Sequence, residues 1–261
     1  LSSNYIPNYT AGLTFFIAVA ATNLFHQGNW QRVFSAKNNS ILKSSLIYSS
    51  VIIFFIVFWM GYSGLIAVSL NPEVRPDLGF FDLLLSNKNS FIVISVLVLA
   101  LSLTLSTIDT LINAISSLII VNGDQINKSL TGKEIKNKTN LIIITLSILV
   151  FILASRGYSI LYLFLLADLL CCSAVITIFY GFFNRKINYK LAFFSMSSGL
   201  LFGLLFFPSQ NYQSSILVGN LIPISNFPLF VTTNLLFISF LTSLIIPFLM
   251  ILVYSLRNSF K

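Results

Sequence analysis

Seven long apolar stretches determine what this chain of 261 residues can fold into. They cover residues 11–27, 45–70, 91–121, 140–155, 159–183, 191–207 and 230–256. Each approaches or exceeds the length of about 20 residues that an α-helix needs to cross a bilayer. The two-residue alternation of a membrane β-barrel is absent. The stretches therefore predict an all-α integral membrane protein with about seven transmembrane helices.

The composition identifies lipid as the solvent for most of the chain. Hydrophobic residues make up 56% of it and charged residues only 8%, whereas a soluble domain carries about a quarter charged residues. The net charge of +8 does not indicate nucleic-acid binding, because the basic residues lie in short loops and form no dense patch. We therefore expect the bilayer as a partner and no nucleic acid.

The basic residues predict the orientation. Twelve of the 15 lie at one face of the membrane if the spans alternate: Arg32, Lys37, Lys43, Lys128, Lys133, Lys136, Lys138, Arg185, Lys186, Lys190, Arg257 and Lys261. Only Arg75, Lys88 and Arg156 fall on the other face. By the positive-inside rule, segment 1–10 is extracellular and the C-terminus is cytoplasmic, in the plasma (inner) membrane. The first residue is Leu1 and not Met, so we expect a piece of a longer protein.

Two features depart from simple spans. The third stretch, of about 31 residues, would measure about 46 Å as one helix, so it must tilt, bend or protrude from a hydrocarbon layer of about 30 Å. The predicted outer loop 71–90 contains the apolar patch FFDLLL, which predicts a short helix lying on the outer surface.

Polar residues share one face of the third span. At 100° per residue, Ser102, Ser106, Asp109, Asn113 and Ser116 fall within about 80° of one another. Polar atoms on a lipid-embedded helix must face protein, water or an ion. Their hydroxyl and carboxylate oxygens suit hard cations, although the hydroxyls could equally serve as hydrogen-bonding contacts between helices.

Two further residues are candidates. Asp168 lies near the middle of the fifth span, where an ionised carboxylate needs a cation or several donors, unless it is a protonated packing residue. His26, the single histidine, could line a permeation path or shuttle a proton, but it could also be an ordinary interfacial residue. No phosphate-binding loop, zinc spacing or nucleophile–base pair occurs, so we expect no enzyme.

Three motifs resemble those of the sodium:solute symporter family, which includes proline, pantothenate, sugar and urea transporters. NLFHQGNWQRVFSAKN resembles the stretch after the family's sixth core helix, and STIDTLINAISSLIIVNGD resembles its eighth. LADLLCCSAVITIFYG is similar to the tenth core helix of some members. The resemblance implies a leucine-transporter-like fold, with residues 11–185 as the second five-helix repeat and 186–261 as two peripheral helices.

The resemblance also implies sites. Ser106 and Thr107 match the two hydroxyl residues of a sodium site, Leu103 the position that lends its backbone carbonyl, and Asp109 the acid just beyond them. Asn23 and His26 fall in the helix that contributes to the solute pocket and inner gate. The expected function is therefore sodium-coupled symport of a small polar solute, urea-like or amino-acid-like.

Three alternatives stay open from the sequence. A symporter-like membrane domain also precedes the soluble modules of some signalling kinases, so a sensor is possible. A subunit of a respiratory complex of the antiporter type is disfavoured, because no Lys or Glu lies inside any span. Coupling to protons in place of sodium would assign the coupling role to Asp109 or Asp168.

Overall fold

The computed structural model describes residues 6–74, 78–86, 89–126, 132–183, 187–210, 212, 214–215 and 227–259. Within these residues the chain is helical, apart from turns and an isolated bridge between Pro208 and Ser215. The helices are α1 (Ile6–Phe25), α2 (Gln27–Ser35), α3 (Asn39–Leu70), α4 (Gly79–Leu85), α5 (Ser90–Ile126), α6 (Gly132–Ala154), α7 (Ile160–Phe183), α8 (Tyr189–Phe206), α9 (Leu229–Thr233) and α10 (Leu235–Ser259). The predicted all-α class is confirmed.

Six helices in the described part of the chain are long and apolar enough to cross a membrane. They are α3, the Ser90–Val121 part of α5, the Glu134–Ala154 part of α6, α7, α8 and the Leu235–Arg257 part of α10. The first predicted span, 11–27, corresponds to α1, which has the length but intersperses threonines and asparagines among its apolar residues. The sequence predicted seven membrane-spanning helices, and six helices of the described residues meet the length and hydropathy criteria. A membrane crossing by α1 stays a prediction.

The helices form two compact units. The first contains α1, α7, α8, α9 and α10, and the second contains α2, α3, α4, α5 and nearly all of α6. The predicted division into a five-helix repeat (11–185) and two peripheral helices (186–261) refers to the arrangement in a complete transporter, and it stays a prediction.

A close contact between α8 and α10 holds part of the first unit together. Small residues recur every four positions on both helices: Ser195, Gly199 and Gly203 on α8, and Ser239, Ser243 and Pro247 on α10. A Cβ atom added at Gly199 would lie 2.5 Å from Pro247 Cγ and 2.8 Å from the Ser243 carbonyl oxygen. Small residues at such spacing let helix backbones approach in a membrane, where no hydrophobic effect drives the helices together.

Hydroxyl groups along this α8–α10 contact bond to the neighbouring helix. Ser239 Oγ donates to the Gly203 carbonyl oxygen at 2.7 Å, and Ser195 Oγ lies 3.3 Å from the Pro247 carbonyl oxygen and 3.0 Å from Thr177 Oγ1 of α7. Polar groups buried away from water need such partners. Ser195 thus bonds to a hydroxyl of α7 and to the backbone of α10, and Ser239 bonds to the backbone of α8.

The second unit contains the two longest helices. Asn38 caps α3 by accepting a hydrogen bond from the Ile41 backbone N–H at 2.8 Å. The short helix predicted in loop 71–90 is confirmed as α4, whose Gly79 would place an added Cβ 3.2 Å from the Gly64 carbonyl oxygen of α3. Helix α5 has 37 residues, about 56 Å at 1.5 Å per residue, so the third span is a single helix longer than a bilayer is thick.

Candidate functional site

Asp168 lies between two helices of the first unit. It is only 6% exposed, and it occupies the ninth position of the 24-residue helix α7. Its Oδ1 atom accepts a hydrogen bond from the hydroxyl of Thr22 on α1. Helix α1 can come this close because its facing residues Ala18 and Ala21 are small and buried. The carboxylate and the threonine thus form a polar pair, the Thr22–Asp168 pair, at the α1–α7 contact.

The surroundings of the Thr22–Asp168 pair are apolar. Leu165, Leu169 and Cys172 of α7 are 1%, 0% and 0% exposed and belong to the same buried cluster as Ala18 and Ala21. No lysine, arginine or histidine in the described residues forms an ion pair with Asp168, and the hydroxyl of Thr22 donates a hydrogen bond to it. An acid with one neutral donor in apolar surroundings has spare capacity for a cation or a proton.

Asn23 and His26 lie at the end of α1. Asn23 is exposed and its Nδ2 donates to the Val19 carbonyl oxygen at 2.8 Å. His26 lies between α1, which ends at Phe25, and α2, which begins at Gln27. Its backbone N–H donates to the Asn23 carbonyl oxygen at 3.3 Å. The His26 Nδ1 atom is buried, and no partner for it occurs within the described ranges.

The predicted sodium-site residues lie on α5, in the second unit. Thr107 Oγ1 donates to the Leu103 carbonyl oxygen at 2.8 Å, so these two oxygens are close enough to contact the same ion. Ser106 and Asp109 are exposed on the polar face that also carries Ser102 and Asn113. Because Asn23, His26 and Asp168 belong to the first unit, the predicted residues form two separate groups, each within its own unit.

Two polar features were not anticipated from the sequence. One is Thr22, which the spacing Thr14, Ala18, Thr22 along α1 could have indicated as part of a small-residue face. The other is a cleft of about 120 Å³ lined mainly by threonines, prolines and the start of α10. In this cleft, Thr10 Oγ1 bonds to Asn234 Oδ1, and Thr14, which is fully buried, bonds to the Thr10 carbonyl oxygen at 2.7 Å.

In the part of the chain that the structure describes, three or more His, Cys, Asp or Glu side chains nowhere lie close enough together to hold one metal ion. Sodium is bound differently, by neutral and charged oxygens. The Leu103 carbonyl and the Thr107 and Ser106 hydroxyls offer oxygens of that kind from one helix. They fit part of a sodium site, and further oxygens would have to come from other segments.

The helices and the buried polar groups define an all-α integral membrane protein. In sequence, the chain is similar to the spermidine transporter DUR31 of Candida albicans, with 27% identity over 217 residues. The alignment covers 81% of this chain and 40% of the relative, so the chain spans about 40% of that transporter's length. No family model matches the chain, and no solved structure matches it.

Proposed function

We propose that this protein performs sodium-coupled symport of a small polar solute, and that the solute is a polyamine-like amine. The observation that carries the proposal is the polar face of α5, a helix whose apolar part, Ser90–Val121, is long enough to span the bilayer. The similarity to a spermidine transporter supports transport and suggests the class of solute.

The polar face of α5 favours transport over a purely structural role. An acid on a membrane-spanning helix is costly and is usually directed at protein, at a water-filled cavity or at an ion. Asp109 lies on this face together with Ser102, Ser106 and Asn113, and all four are exposed in the structure. A row of hydroxyl, amide and carboxylate groups at membrane depth suits a hydrated path for an ion or a polar solute.

Sodium is proposed as the coupled ion because of the oxygens around Thr107. The Leu103 carbonyl oxygen and Thr107 Oγ1 lie 2.8 Å apart, and Ser106 precedes Thr107 in the same turn. Asp109 would supply negative charge nearby. Asn23, His26 and Asp168 are proposed for the solute path, because they combine polar side chains with a helix interruption, a feature of many transporter binding sites.

Sodium-driven accumulation of a labelled polyamine by the complete natural protein in proteoliposomes tests the proposal. With sodium outside, we expect uptake above the level reached with choline or potassium. The double change Ser106→Ala with Thr107→Ala should raise the sodium concentration for half-maximal uptake by at least about tenfold, equivalent to about 1.4 kcal/mol. Excess sodium should restore part of the rate, because ion and solute binding are thermodynamically linked.

Thr104→Ala is the matched control for the sodium site. Thr104 also bonds back to the carbonyl four residues earlier, Ala100, at 2.7 Å, but it points about 160° away from Ser106 on the helical wheel. Its loss should leave the sodium dependence unchanged. Equal sodium dependence in the double variant and in the control would reject the site. Uptake driven by a proton gradient without sodium would move the coupling role to Asp109 or Asp168.

A further inference from the structure

We propose that the Thr22–Asp168 pair binds a protonated amine of the transported solute. The inference rests on the proposed function and adds to it the residues that recognise the solute. Asp168 is 6% exposed between α1 and α7 and accepts one hydrogen bond, from Thr22. These two side chains would face the ammonium group, with Asp168 supplying the charge and Thr22 a neutral oxygen.

The balance of charge indicates a cationic ligand. A carboxylate has about four lone-pair positions, and the Thr22 hydroxyl uses one of them. No cationic side chain of the described residues pairs with Asp168. Because an unpaired charge at membrane depth is strongly unfavourable, the ionised carboxylate is stabilised when a mobile cation occupies the site.

The walls of the site favour an alkylammonium ion over a metal ion. A hard cation such as sodium is held by several oxygens, whereas Asp168 and Thr22 supply the side-chain oxygens of this pair. Cys171, which contacts Thr22, and Cys172 add only thiols, and Leu165, Leu169 and Cys172 belong to the buried apolar cluster. An alkylammonium ion has few N–H groups to satisfy and a methylene chain that gains free energy by leaving water, so it matches an acid set in an apolar wall.

The cleft near Thr10 and Asn234 lies closer to the start of α1 than Thr22 does. Thr14 lines the cleft, and it precedes Thr22 by eight residues, about 12 Å along the helix. Ala18, midway between the two threonines on α1, is 0% exposed. The cleft and the Thr22–Asp168 pair are therefore separated by a closed turn of α1.

Competition between an amine and its uncharged counterpart tests the inference. Binding of labelled spermidine to the purified complete protein in lipid nanodiscs is measured with 1,4-diaminobutane or 1,4-butanediol as competitor. In the unmodified protein, the diamine should compete and the diol should not. Asp168→Asn should weaken spermidine binding by at least about tenfold, the loss expected for a hydrogen-bonded charge pair. The advantage of the diamine over the diol should disappear in that variant.

Changes at Thr22 keep the inference testable if Asp168→Asn does not fold. Thr22→Val removes the hydroxyl at constant shape and should weaken binding by about three- to tenfold. Thr22→Ser keeps the hydroxyl and should bind as the unmodified protein does. The control is Ser173→Ala on α7, because Ser173 is buried, as Asp168 is, but its hydroxyl donates to the Leu170 carbonyl oxygen of its own helix at 2.8 Å.

The outcomes separate this inference from the proposed function. Unchanged diamine selectivity in both Asp168→Asn and Thr22→Val would overturn the inference, and so would a loss that Ser173→Ala reproduces. A raised sodium requirement with intact diamine selectivity would overturn it too, by assigning Asp168 to the ion. If the unmodified protein binds spermidine but accumulates it without sodium, the coupling in the proposed function fails while the amine site stands.

Discussion

Most hydroxyl groups on the membrane-spanning helices bond to their own helix. Thr104, Thr107 and Thr145 each donate to the carbonyl oxygen four residues earlier, at 2.7 to 2.8 Å. This local bond satisfies a polar side chain without help from a neighbouring helix. Thr22 differs, because its hydroxyl bonds to Asp168 of α7. Thr10 bonds both to the Pro7 carbonyl oxygen of its own helix and to Asn234, which lies between α9 and α10. In the first unit, hydroxyls that bond outside their own helix therefore occur at the Thr22–Asp168 pair, in the cleft and along the α8–α10 contact.

One residue-level prediction concerns the start of α3. Asn38 Oδ1 accepts from the Ile41 N–H, one of the amide groups that lack a partner within the helix. Asn38→Ala should destabilise the first turn by about 1 kcal/mol. Hydrogen exchange of the Ile41 amide should then be about fivefold faster. Asn39→Ala, one position into the helix, is the control, and equal exchange in the two variants would show that the cap is not formed.

At the residue scale, the sequence indicated part of the candidate site. Asp168 could be selected from the sequence, because it is an acidic residue in the middle of an apolar span. Its partner Thr22 could not be selected, because the two residues are 146 positions apart in sequence. The sequence of a helix that contains threonine does not indicate which other helix packs against it. The roles of Ser106 and Thr107 stay predictions that the sodium-dependence experiment addresses, and those of Leu103, Asp109, Asn23 and His26 stay predictions as well.

At the scale of helices, apolar length was sufficient to locate the spans. The predicted stretch 159–183 is the helix Ile160–Phe183, and 191–207 is Tyr189–Phe206. The start of α3 lies further upstream than expected, at Asn39, because the cap at Asn38 extends the helix through polar residues that hydropathy does not count. The α8–α10 contact was not predicted, because spacing of small residues does not identify the helix that they contact.

A second prediction tests the α8–α10 contact. Gly199→Ala would place a methyl group 2.5 Å from Pro247 Cγ and 2.8 Å from the Ser243 carbonyl oxygen, and one of the two helices must shift. We expect a loss of about 1–3 kcal/mol, seen as a fall of several degrees in the thermal unfolding midpoint of the purified protein.

Gly181→Ala provides the matched control for that prediction. Gly181 lies on α7, and an added Cβ there would meet nothing within 4 Å. Alanine should be tolerated, since it favours helix more than glycine does. If both variants unfold at the temperature of the unmodified protein, close packing at Gly199 does not contribute to stability.

At the scale of the whole molecule, the distribution of basic residues predicts how the chain lies in the membrane. Glu73 and Lys37 are both exposed, and the alternation of spans assigns them to opposite faces. In a protein whose native Cys171 and Cys172 are replaced by serine, Glu73→Cys should react with a membrane-impermeant thiol reagent added outside intact cells. Lys37→Cys should react only after the cells are permeabilised. The reverse pattern would invert the orientation.

The length of α5 has a consequence for biosynthesis. Its apolar segment Ser90–Val121 contains 19 Leu, Ile, Val and Phe residues, each of which favours insertion by about 0.3–0.6 kcal/mol, whereas one aspartate opposes it by about 2.5–3.5 kcal/mol. The translocon can therefore release this helix into lipid before any partner covers Asp109. A shorter helix with the same polar face would have fewer apolar residues, so it would need neighbouring helices to cover the aspartate during insertion. Because of its many apolar residues, α5 can insert into the membrane with Asp109 exposed, whether or not the helices that later cover Asp109 have been synthesised.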